Sequence, residues 1–340
     1  MRCFYARATE AHDPVFRLTH GKILRNAEQA ERARLLLAGL DQLSLTTEEP
    51  PEAPRAALET VHTPAFLDFL ETAWDDWQKL PNAGPEVVPN VFPRASCSTY
   101  PKSIVGKAGW HMGDTSAPIG EHTWDAARRA ADCAIAAADA VIGGEKAAYA
   151  LCRPAGHHTT ADIAAGHCMM NNSAIAAQRL RTAYDTVATL DIDVHHGNGT
   201  QGIFYDRADV LSISIHADPT DYYPFFVGYD TETGEGAGEG FNVNIPLPRS
   251  TTDDAWIAAI ESALERIAAF TPGALMLSLG LDAHENDPLL GMKISWDGFR
   301  RAGKIIADAG YPTVIVQEGG YLSEDLTTSL VSFLSGYMGR

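Results

Sequence analysis

Cysteine is scarce in this sequence, and long apolar runs are missing. The 340 residues include five cysteines and no C-x-x-C pair, which excludes a disulfide framework and a thiolate metal site. The cysteines are Cys3, Cys97, Cys133, Cys152 and Cys168. The most apolar stretch, residues 130–142, is interrupted by Asp132 and Asp139, and the chain does not open with a basic segment followed by an apolar one. We therefore expect a cytoplasmic protein that is neither secreted nor inserted in a membrane.

Basic residues are also few. Lys and Arg total 26 against 44 Asp and Glu, so the formal net charge is -18. Charge of this sign repels phosphate backbones and anionic membrane surfaces, which argues against nucleic acid and membranes as partners. It attracts cationic ligands on average. The composition, 45% hydrophobic and 21% charged, is that of an ordinary globular protein.

Short β-branched runs alternate with helical stretches along the chain. This pattern predicts an α/β fold with a central, mainly parallel sheet and helices on both of its faces. The predicted strands are residues 147–152, 187–193, 210–216, 274–280 and 313–317. Two helices are clearly marked: residues 65–79 follow Thr63 as N-cap and Pro64 in the first turn, and residues 253–270 have helical periodicity.

Residues 80–102 interrupt the alternation. The stretch contains five prolines and little periodicity. A loop of this length inside a compact domain usually covers an active site, forms an interface or is disordered. We interpret it as an insertion in a single domain that spans residues 1–340.

Polar side chains follow the predicted strands, where open α/β sheets bind their ligands. Strand 187–193 leads into D-I-D-V-H-H-G-N-G-T, and a period of two places Asp191, Asp193 and His195 on one side. Two buried carboxylates beside an imidazole are costly to desolvate without a cation, so the pattern indicates a metal site. The alternative is that Asp191 braces a neighbouring loop and the histidines are hydrogen-bonded core residues.

A third metal ligand follows another predicted strand. Asp282, in S-L-G-L-D-A-H, would lie on the same rim of the sheet. Asp, His and Asp with an open fourth position form a hydrolytic zinc site that is richer in oxygen than the usual three-nitrogen set. Such hard ligands would also accept Fe²⁺ or Co²⁺.

Two further loops carry groups that can move or donate protons. R-P-A-G-H-H, residues 153–158, ends in two histidines, and a neutral imidazole can take a proton from water and return it to a leaving amine. E-G-G-Y, residues 318–321, offers a phenol that could donate to the oxyanion of a tetrahedral intermediate. Taken alone, a histidine pair is more often structural, and a lone tyrosine more often packs.

These four motifs, in this order, resemble those of the histone deacetylase superfamily of metal-dependent amidohydrolases. The segment F-L-D-F-L-E-T-A-W-D-D-W, residues 66–77, and the insertion after it are most similar to the bacterial acetylpolyamine amidohydrolases. The resemblance covers most of the chain. It implies an arginase-like α/β fold and the zinc-dependent hydrolysis of small N-acetylated amines to acetate and a free amine.

The resemblance also implies roles for individual residues. The implied metal ligands are Asp193, His195 and Asp282. The implied catalytic residues are His157, His158, Asp191, Asn198 and Tyr321. In this scheme His157 pairs with Asp191, whereas His158 pairs with Asn198 and acts as general base and acid. A carboxylate partner favours the charged imidazolium, while a neutral amide leaves His158 free to titrate near neutrality.

A structural potassium ion, substrate contacts and a homodimer are implied in the same way. The potassium site is expected near Asp191, Asp193, His195, Ser214 and Ile215, with a second site near Phe204, Arg207, Val210 and Phe241. The substrate-binding positions are Asp114, Gly166, His167 and Tyr223. Asp114 would grip the substrate backbone, although an Asx turn is the alternative. The insertion resembles one through which the polyamine enzymes dimerise, so we expect a homodimer.

Two positions depart from the family pattern. His167 stands where relatives place an aromatic residue of the channel wall, which predicts a polar and titratable wall. Val105 and Ser116 stand where the polyamine enzymes carry glutamates for a distal ammonium. Loss of such charge partners weakens the prediction of selectivity for polyamines.

Other functions fit part of the pattern. A protein acetyl-lysine deacetylase, or a hydrolase of another small amide, would use the same motifs, but the insertion would obstruct a folded protein substrate. An arginase-type ureohydrolase would need a second metal and more carboxylates, for example where Asn198 stands. A catalytically silent metal-binding protein would need neither His158 nor Tyr321, and both are present.

Overall fold

A parallel eight-stranded sheet forms the centre of the protein. The computed structural model describes residues 1–93 and 98–340, so Cys97 lies outside the described residues. The sheet order is β4-β1-β5-β10-β9-β6-β7-β8, and every neighbouring pair is parallel. Its strands are β1 (Arg2–Phe4), β4 (Thr47–Glu48), β5 (Ala147–Ala150), β6 (Val187–Asp191), β7 (Val210–Ala217), β8 (Asn242–Leu247), β9 (Ala274–Leu279) and β10 (Thr313–Gln317). The α/β prediction is confirmed.

The five predicted strands are the five adjacent strands β5, β10, β9, β6 and β7. All five are buried along their whole length, because helices cover both faces. The unpredicted strands β4, β1 and β8 lie at the two sides of the sheet, where they are short or only partly buried. Continuous apolar runs in the sequence therefore predicted the central strands of the sheet but not the strands at its edges.

Ten α-helices are described besides the short 3₁₀ turns Arg7–Ala11 and Gly236–Gly238. They are α1 (Glu31–Gln42), α2 (Arg55–Leu58), α3 (Pro64–Gln78), α4 (Ile104–His111), α5 (Thr123–Ile142), α6 (Asn172–Leu180), α7 (Asn198–Phe204), α8 (Asp253–Phe270), α9 (Trp296–Asp308) and α10 (Leu326–Met338). Helices α3 to α6 share one apolar core with the sheet, and α1 and α8 to α10 share the other. In β5, Ala148 and Ala150 face the first core and Tyr149 faces the second, as a period of two requires.

The two marked helices form as predicted. The Thr63 side chain accepts a hydrogen bond from the Phe66 N–H, and Pro64 occupies the first turn of α3. Helix α8 has the predicted bounds, with Asp253 and Asp254 in its first turn. No helix in the described part of the chain combines the length and apolarity that a bilayer crossing requires.

A small hairpin and the insertion lie outside the sheet. Strands β2 (Phe16–Thr19) and β3 (Lys22–Arg25) form the antiparallel hairpin. The described parts of residues 80–102 contain no helix or regular strand, in line with their lack of periodicity. This segment is attached by two backbone hydrogen bonds between Val87 and Ile119, 2.8 and 3.2 Å long, and by a bond of 3.1 Å from the Trp74 indole to the Pro85 carbonyl.

Candidate active site

The loops after the central strands surround one cavity of about 400 Å³. We call its buried end the floor: His158, His195 and Tyr321 line it, and the carboxylates of Asp193 and Asp282 lie directly beside His195. We call its solvent side the mouth, formed by Arg17, His20, Asp221, Phe225, Arg249 and Leu290. The residues of the floor are at most 7% exposed, whereas Phe225 and Leu290 of the mouth are 47% and 63% exposed.

Asp193, His195 and Asp282 bring three ligand atoms together in the floor. One donor atom from each lies within 4.8 Å of the others, and all three residues are buried. The Nδ1 atom of His195 is 3.1 Å from Asp193 Oδ1 and 3.2 Å from Asp282 Oδ2. In this pairing the two carboxylates outweigh the effect of burial and raise the pKa of His195 to about 9.

This donor set fits a divalent metal. Asp282 Oδ2 is fully buried and receives no hydrogen bond of acceptable geometry within the described chain. A carboxylate oxygen in that position is costly unless a cation is its partner. A Cβ atom at Gly319 would overlap the Oδ2 atoms of Asp282 and Asp193, so the glycine leaves the space beside them open. One imidazole and two carboxylates suit Zn²⁺, Fe²⁺ or Co²⁺.

The ligands converge through a turn, not through an extended strand. The sequence predicted a strand to Asp193, but β6 ends at Asp191. Beyond that residue the Asp193 N–H donates to Asp191 Oδ1 at 3.0 Å, and the His195 N–H donates to Asp193 Oδ1 at 2.9 Å. These side chains take the place of a neighbouring strand as hydrogen-bond partners. The predicted residues therefore share one side of the loop, but for this different reason.

His157 is the charged member of the histidine pair. Its Nδ1 is 2.9 Å from Asp191 Oδ2, and its Nε2 is 3.8 Å from Asp193 Oδ1. Burial acts to lower the pKa of His157, but the carboxylates of Asp193 and Asp191 outweigh it and raise the pKa well above its usual value. The geometry that the resemblance implied for His157 and Asp191 is present.

His158 is the neutral member of the pair. Its Nδ1 is 2.7 Å from Asn198 Oδ1 at the start of α7. Because an amide oxygen only accepts, the proton lies on Nδ1 and the lone pair of Nε2 is free. Burial, followed by the charge on His157, lowers the pKa of His158 well below its usual value, so the expectation that this histidine titrates near neutrality is wrong. The ring lines the cavity, so it is placed to accept a proton there.

Tyr321 is held in the floor through its backbone. Its N–H donates to Asp287 Oδ2 at 2.9 Å, and burial followed by the charge on Asp282 raises the pKa of Asp287 to about 7. Burial likewise raises the pKa of the Tyr321 hydroxyl well above its usual value, so the phenol remains a proton donor. Its side chain is 5% exposed and lines the cavity.

Glu318 connects the end of β10 to the histidine pair. Its Oε2 accepts hydrogen bonds from the N–H groups of Gly156 and His157, 2.7 and 3.1 Å long, and its Oε1 accepts one of 2.7 Å from the Ser173 hydroxyl. Burial raises the pKa of Glu318 to about 6. Glu318 is the first residue of E-G-G-Y, but the sequence alone did not predict a role for it.

A buried cluster of charges beneath Tyr321 was missed altogether. Arg32 donates to the backbone carbonyls of Glu318 and Gly320, 2.7 and 2.5 Å away, and its guanidinium carbon lies 4.9 Å from the centre of the Tyr321 ring. Glu28 forms ion pairs with both Arg32 and Arg153. Only Arg153 belonged to a motif, and an acid and an arginine at the start of a helix carry no signal of burial.

Three of the four expected substrate positions lie on the cavity wall, and Asp114 supports two of them. Gly166 and Tyr223 line the cavity. The Asp114 Oδ2 atom accepts hydrogen bonds from the Tyr223 hydroxyl at 2.7 Å and the Gly166 N–H at 3.0 Å. Its Oδ1 accepts the Ser116 N–H at 2.7 Å, which is the Asx turn considered as the alternative.

His167 forms a polar wall that does not titrate at physiological pH. Its Nδ1 is 3.0 Å from Asn26 Oδ1, and the residue is 7% exposed. Burial, followed by the charge on Arg17, lowers the pKa of His167 to about 3. The expectation of a titratable wall is therefore wrong, because the ring is withdrawn from water.

The residues expected around the nearer potassium ion also lie together. Asp191 of β6 pairs with Ser214 of β7, and Ile215 follows as a buried residue. The Ser214 hydroxyl is 2.9 Å from His216 Nδ1. The presence of a monovalent ion at this place stays a prediction.

Comparison with known proteins identifies the family and the relatives that the chain matches. A model of the histone deacetylase domain matches residues 26–337. The chain is 43% identical over 327 residues to an acetylpolyamine amidohydrolase of Burkholderia pseudomallei, which covers 96% of this chain and 95% of the relative. It is 38% identical over 344 residues to an acetylpolyamine amidohydrolase of Mycoplana ramosa, with full coverage of both.

Solved structures agree with this placement. The crystal structure of the acetylpolyamine aminohydrolase from Burkholderia pseudomallei superposes with a TM-score of 0.96 at 42% identity, covering 99% of this chain and 98% of that one. The fold is thus the arginase and deacetylase type of α/β fold that the motifs implied. The matched domain and the near-complete coverage together establish that this chain belongs to the histone deacetylase family.

Proposed function

We propose that this protein is a metal-dependent amidohydrolase that removes the acetyl group from small N-acetylated amines, in the manner of acetylpolyamine deacetylation. One observation carries the proposal. A three-residue metal donor set, a histidine with a free Nε2 and a buried phenol lie around a single cavity of about 400 Å³. The names of the relatives point to the same chemistry.

The residues of the floor divide the reaction between them. His158 takes a proton at Nε2 from the attacking water and then delivers it to the leaving nitrogen. Tyr321 donates its hydroxyl proton in a hydrogen bond to the amide oxygen as negative charge develops there. His157 remains charged beside Asp191 and keeps the acceptor strength of His158 low. The products are acetate and a free amine.

The metal centre belongs to Asp193, His195 and Asp282 in this proposal. A divalent ion bound there supplies Lewis acidity toward the amide carbonyl and the attacking water. We propose Zn²⁺, with Fe²⁺ or Co²⁺ as alternatives that a metal analysis of the purified protein separates. A potassium ion near Asp191 and Ser214 is proposed as a structural element.

The proposal extends to the assembly and location of the protein. We treat residues 1–340 as one domain, since β1 and β10 join the same sheet as the strands between them. We propose a cytoplasmic homodimer formed through the insertion. Val91 and Phe92 support this interface because they are 53% and 49% exposed although apolar. A molar mass from light scattering tests the dimer.

The decisive experiment measures acetate release by the zinc-loaded protein. The substrates are N-acetylputrescine, acetylcadaverine, an acetyl-lysine peptide and a neutral N-alkylacetamide, each with and without chelator. We expect turnover of the small amides that stops on metal removal and returns on adding zinc. In His158→Ala we expect the metal content to be kept while kcat falls by about two to four orders of magnitude.

The matched control is His122→Gln, because His122 is exposed and does not line the described cavity. Its turnover should equal that of the wild type. Turnover that survives chelation, or an unchanged kcat in His158→Ala, would contradict the proposed function. Preference for the peptide would instead support a protein deacetylase.

A further inference from the structure

The charge of the mouth differs in sign from that of the whole chain. Two guanidinium groups, those of Arg17 and Arg249, line the cavity together with one carboxylate, that of Asp221. The chain as a whole has a net charge of -18. At physiological ionic strength, charges more than about 8 Å away are largely screened, so the nearby guanidinium groups dominate what a bound substrate meets.

Arg17 is the cation of the mouth that has no polar partner within the part of the chain that the structure describes. It lies on β2 opposite Leu24 of β3 and is half-buried. Within residues 1–93 and 98–340, its guanidinium makes no ion pair and no hydrogen bond. The charge of Arg17 nevertheless acts on the cavity wall: after burial, it is the largest influence that lowers the pKa of His167. A half-buried guanidinium with five unused donors favours an anionic ligand.

Arg249 is the second cation and is fixed in place. Its Nη2 donates to the Leu290 carbonyl at 2.8 Å, and its guanidinium carbon lies 5.1 Å from the centre of the Tyr222 ring. One bond to a carbonyl leaves the full positive charge and most of its donors available. The stacking on Tyr222 holds the group at the mouth.

The acidic groups near the mouth offer little to a cationic substrate. Both oxygens of Asp114 are engaged by Ser116, Gly166 and Tyr223, and the residue is absent from the cavity lining of the described chain. Ser116 contributes a hydroxyl and no charge. Asp221 is exposed and is the single carboxylate at the mouth among the described residues.

From these charges we infer the substrate class: the site prefers N-acylated amines whose far end carries a carboxylate over those whose far end carries an ammonium. Arg17 is the residue that determines this preference, and Arg249 assists it. A guanidinium recognises a carboxylate through two parallel hydrogen bonds, which an ammonium cannot make. This inference rests on the proposed function and concerns the mouth alone.

Three substrates of matched size test the inference. They share an acetamide and a short alkyl chain, and they end in a carboxylate (4-acetamidobutanoate), an ammonium (N-acetylputrescine) or a methyl group (N-butylacetamide). We expect kcat/KM to fall in the order carboxylate, methyl, ammonium, with the carboxylate exceeding the ammonium by about tenfold or more. Raising the ionic strength should shrink the advantage of the carboxylate.

Variants assign the preference to Arg17. In Arg17→Gln the ratio of kcat/KM for the carboxylate to that for the methyl substrate should fall by about tenfold. In Arg17→Glu the ammonium should become preferred over the carboxylate. The matched control is Arg25→Gln, since Arg25 lies on the same hairpin, pairs with Asp13 at 2.6 Å and does not line the cavity. Its ratios should equal those of the wild type.

The outcomes separate the two proposals. If the wild type hydrolyses the methyl substrate but prefers the ammonium, the inference is overturned and the proposed function stands. Ratios that stay unchanged in both Arg17 variants overturn it as well. Failure of the zinc-loaded protein to hydrolyse any of the three substrates overturns the proposed function and this inference together.

Discussion

The floor and the mouth of the cavity are built on different principles. In the floor and directly behind it, the proposed reactive groups are buried and have fixed partners: His157 has Asp191, His158 has Asn198, and Tyr321 is anchored by Asp287. In the mouth, Phe225 and Leu290 are 47% and 63% exposed, and the Arg17 guanidinium makes no hydrogen bond or ion pair within the described chain. The floor is thus preorganised for one reaction, while the mouth can change its selectivity at little cost to the fold.

Asp282→Asn should produce the largest effect on the floor. Losing one of three ligands should lower kcat/KM by about a thousandfold or more and abolish stoichiometric zinc. With zinc the wild type should be more stable than Asp282→Asn. Without metal the variant should be the more stable of the two, because the substitution removes one of two buried carboxylates that repel each other. Metal analysis and thermal unfolding with and without zinc check both points. A variant that keeps one zinc per chain would remove Asp282 from the donor set.

Tyr321→Phe should have the next largest effect. Removing the hydroxyl takes away a hydrogen bond that forms fully only as charge develops on the amide oxygen, so kcat should fall by about a hundredfold to a thousandfold. KM and the zinc content should change little. Steady-state kinetics on N-acetylputrescine measure the changes in kcat and KM separately. A rise in KM at constant kcat would instead indicate that the phenol merely packs against the substrate.

His62 is a buried histidine that belongs to neither the floor nor the mouth, and it makes the stability of the fold depend on pH. Burial lowers its pKa from 6.5 to about 4, and its Nε2 accepts a hydrogen bond of 2.9 Å from the Asn171 N–H. The unfolded chain therefore binds more protons between these pH values. The stabilisation is complete above pH 6.5 and is lost as the pH falls toward 4, by about 3 kcal/mol in total.

His62→Gln should accordingly lose less stability on acidification than the wild type. Urea unfolding gives the free energy of unfolding at several pH values between 4.5 and 7. The slope of this free energy against pH should be smaller in His62→Gln than in the wild type, by the equivalent of about one proton. The exposed His122 provides the control, and His122→Gln should keep the slope of the wild type. Equal slopes in His62→Gln and the wild type would contradict the assignment.

Asp114 lies between the two regions, and its substitution should have the smallest effect. In Asp114→Asn one of the bonds to Gly166 and Tyr223 is lost, which should loosen the wall and raise KM by about tenfold. The value of kcat should change by less than about threefold, since the floor is untouched. A fall in kcat at constant KM would mean that the wall also orients the reacting groups.

The sequence predicted more of the floor than of the mouth. The proposed metal ligands and the two histidines follow buried strands in short motifs, and the strands themselves were marked by continuous apolar runs. Glu28 and Arg32 could not be recognised, because their burial depends on contacts with residues near position 320. The sequence likewise gives no indication of a role for Arg17, since a hairpin far from the motifs brings it to the cavity.

The position of β10 constrains the order in which the molecule can be assembled. Among the described strands this one comes last in sequence, yet it lies between β5 and β9 in the middle of the sheet. Until residues 313–317 leave the ribosome, the sheet can exist only as two separate parts, β4-β1-β5 and β9-β6-β7-β8. Arg32, which is synthesised before Glu318 and Gly320, must likewise wait for their backbone carbonyls. Catalytic competence therefore appears in one late step, and chains released before that strand should be substrates for chaperones and proteases.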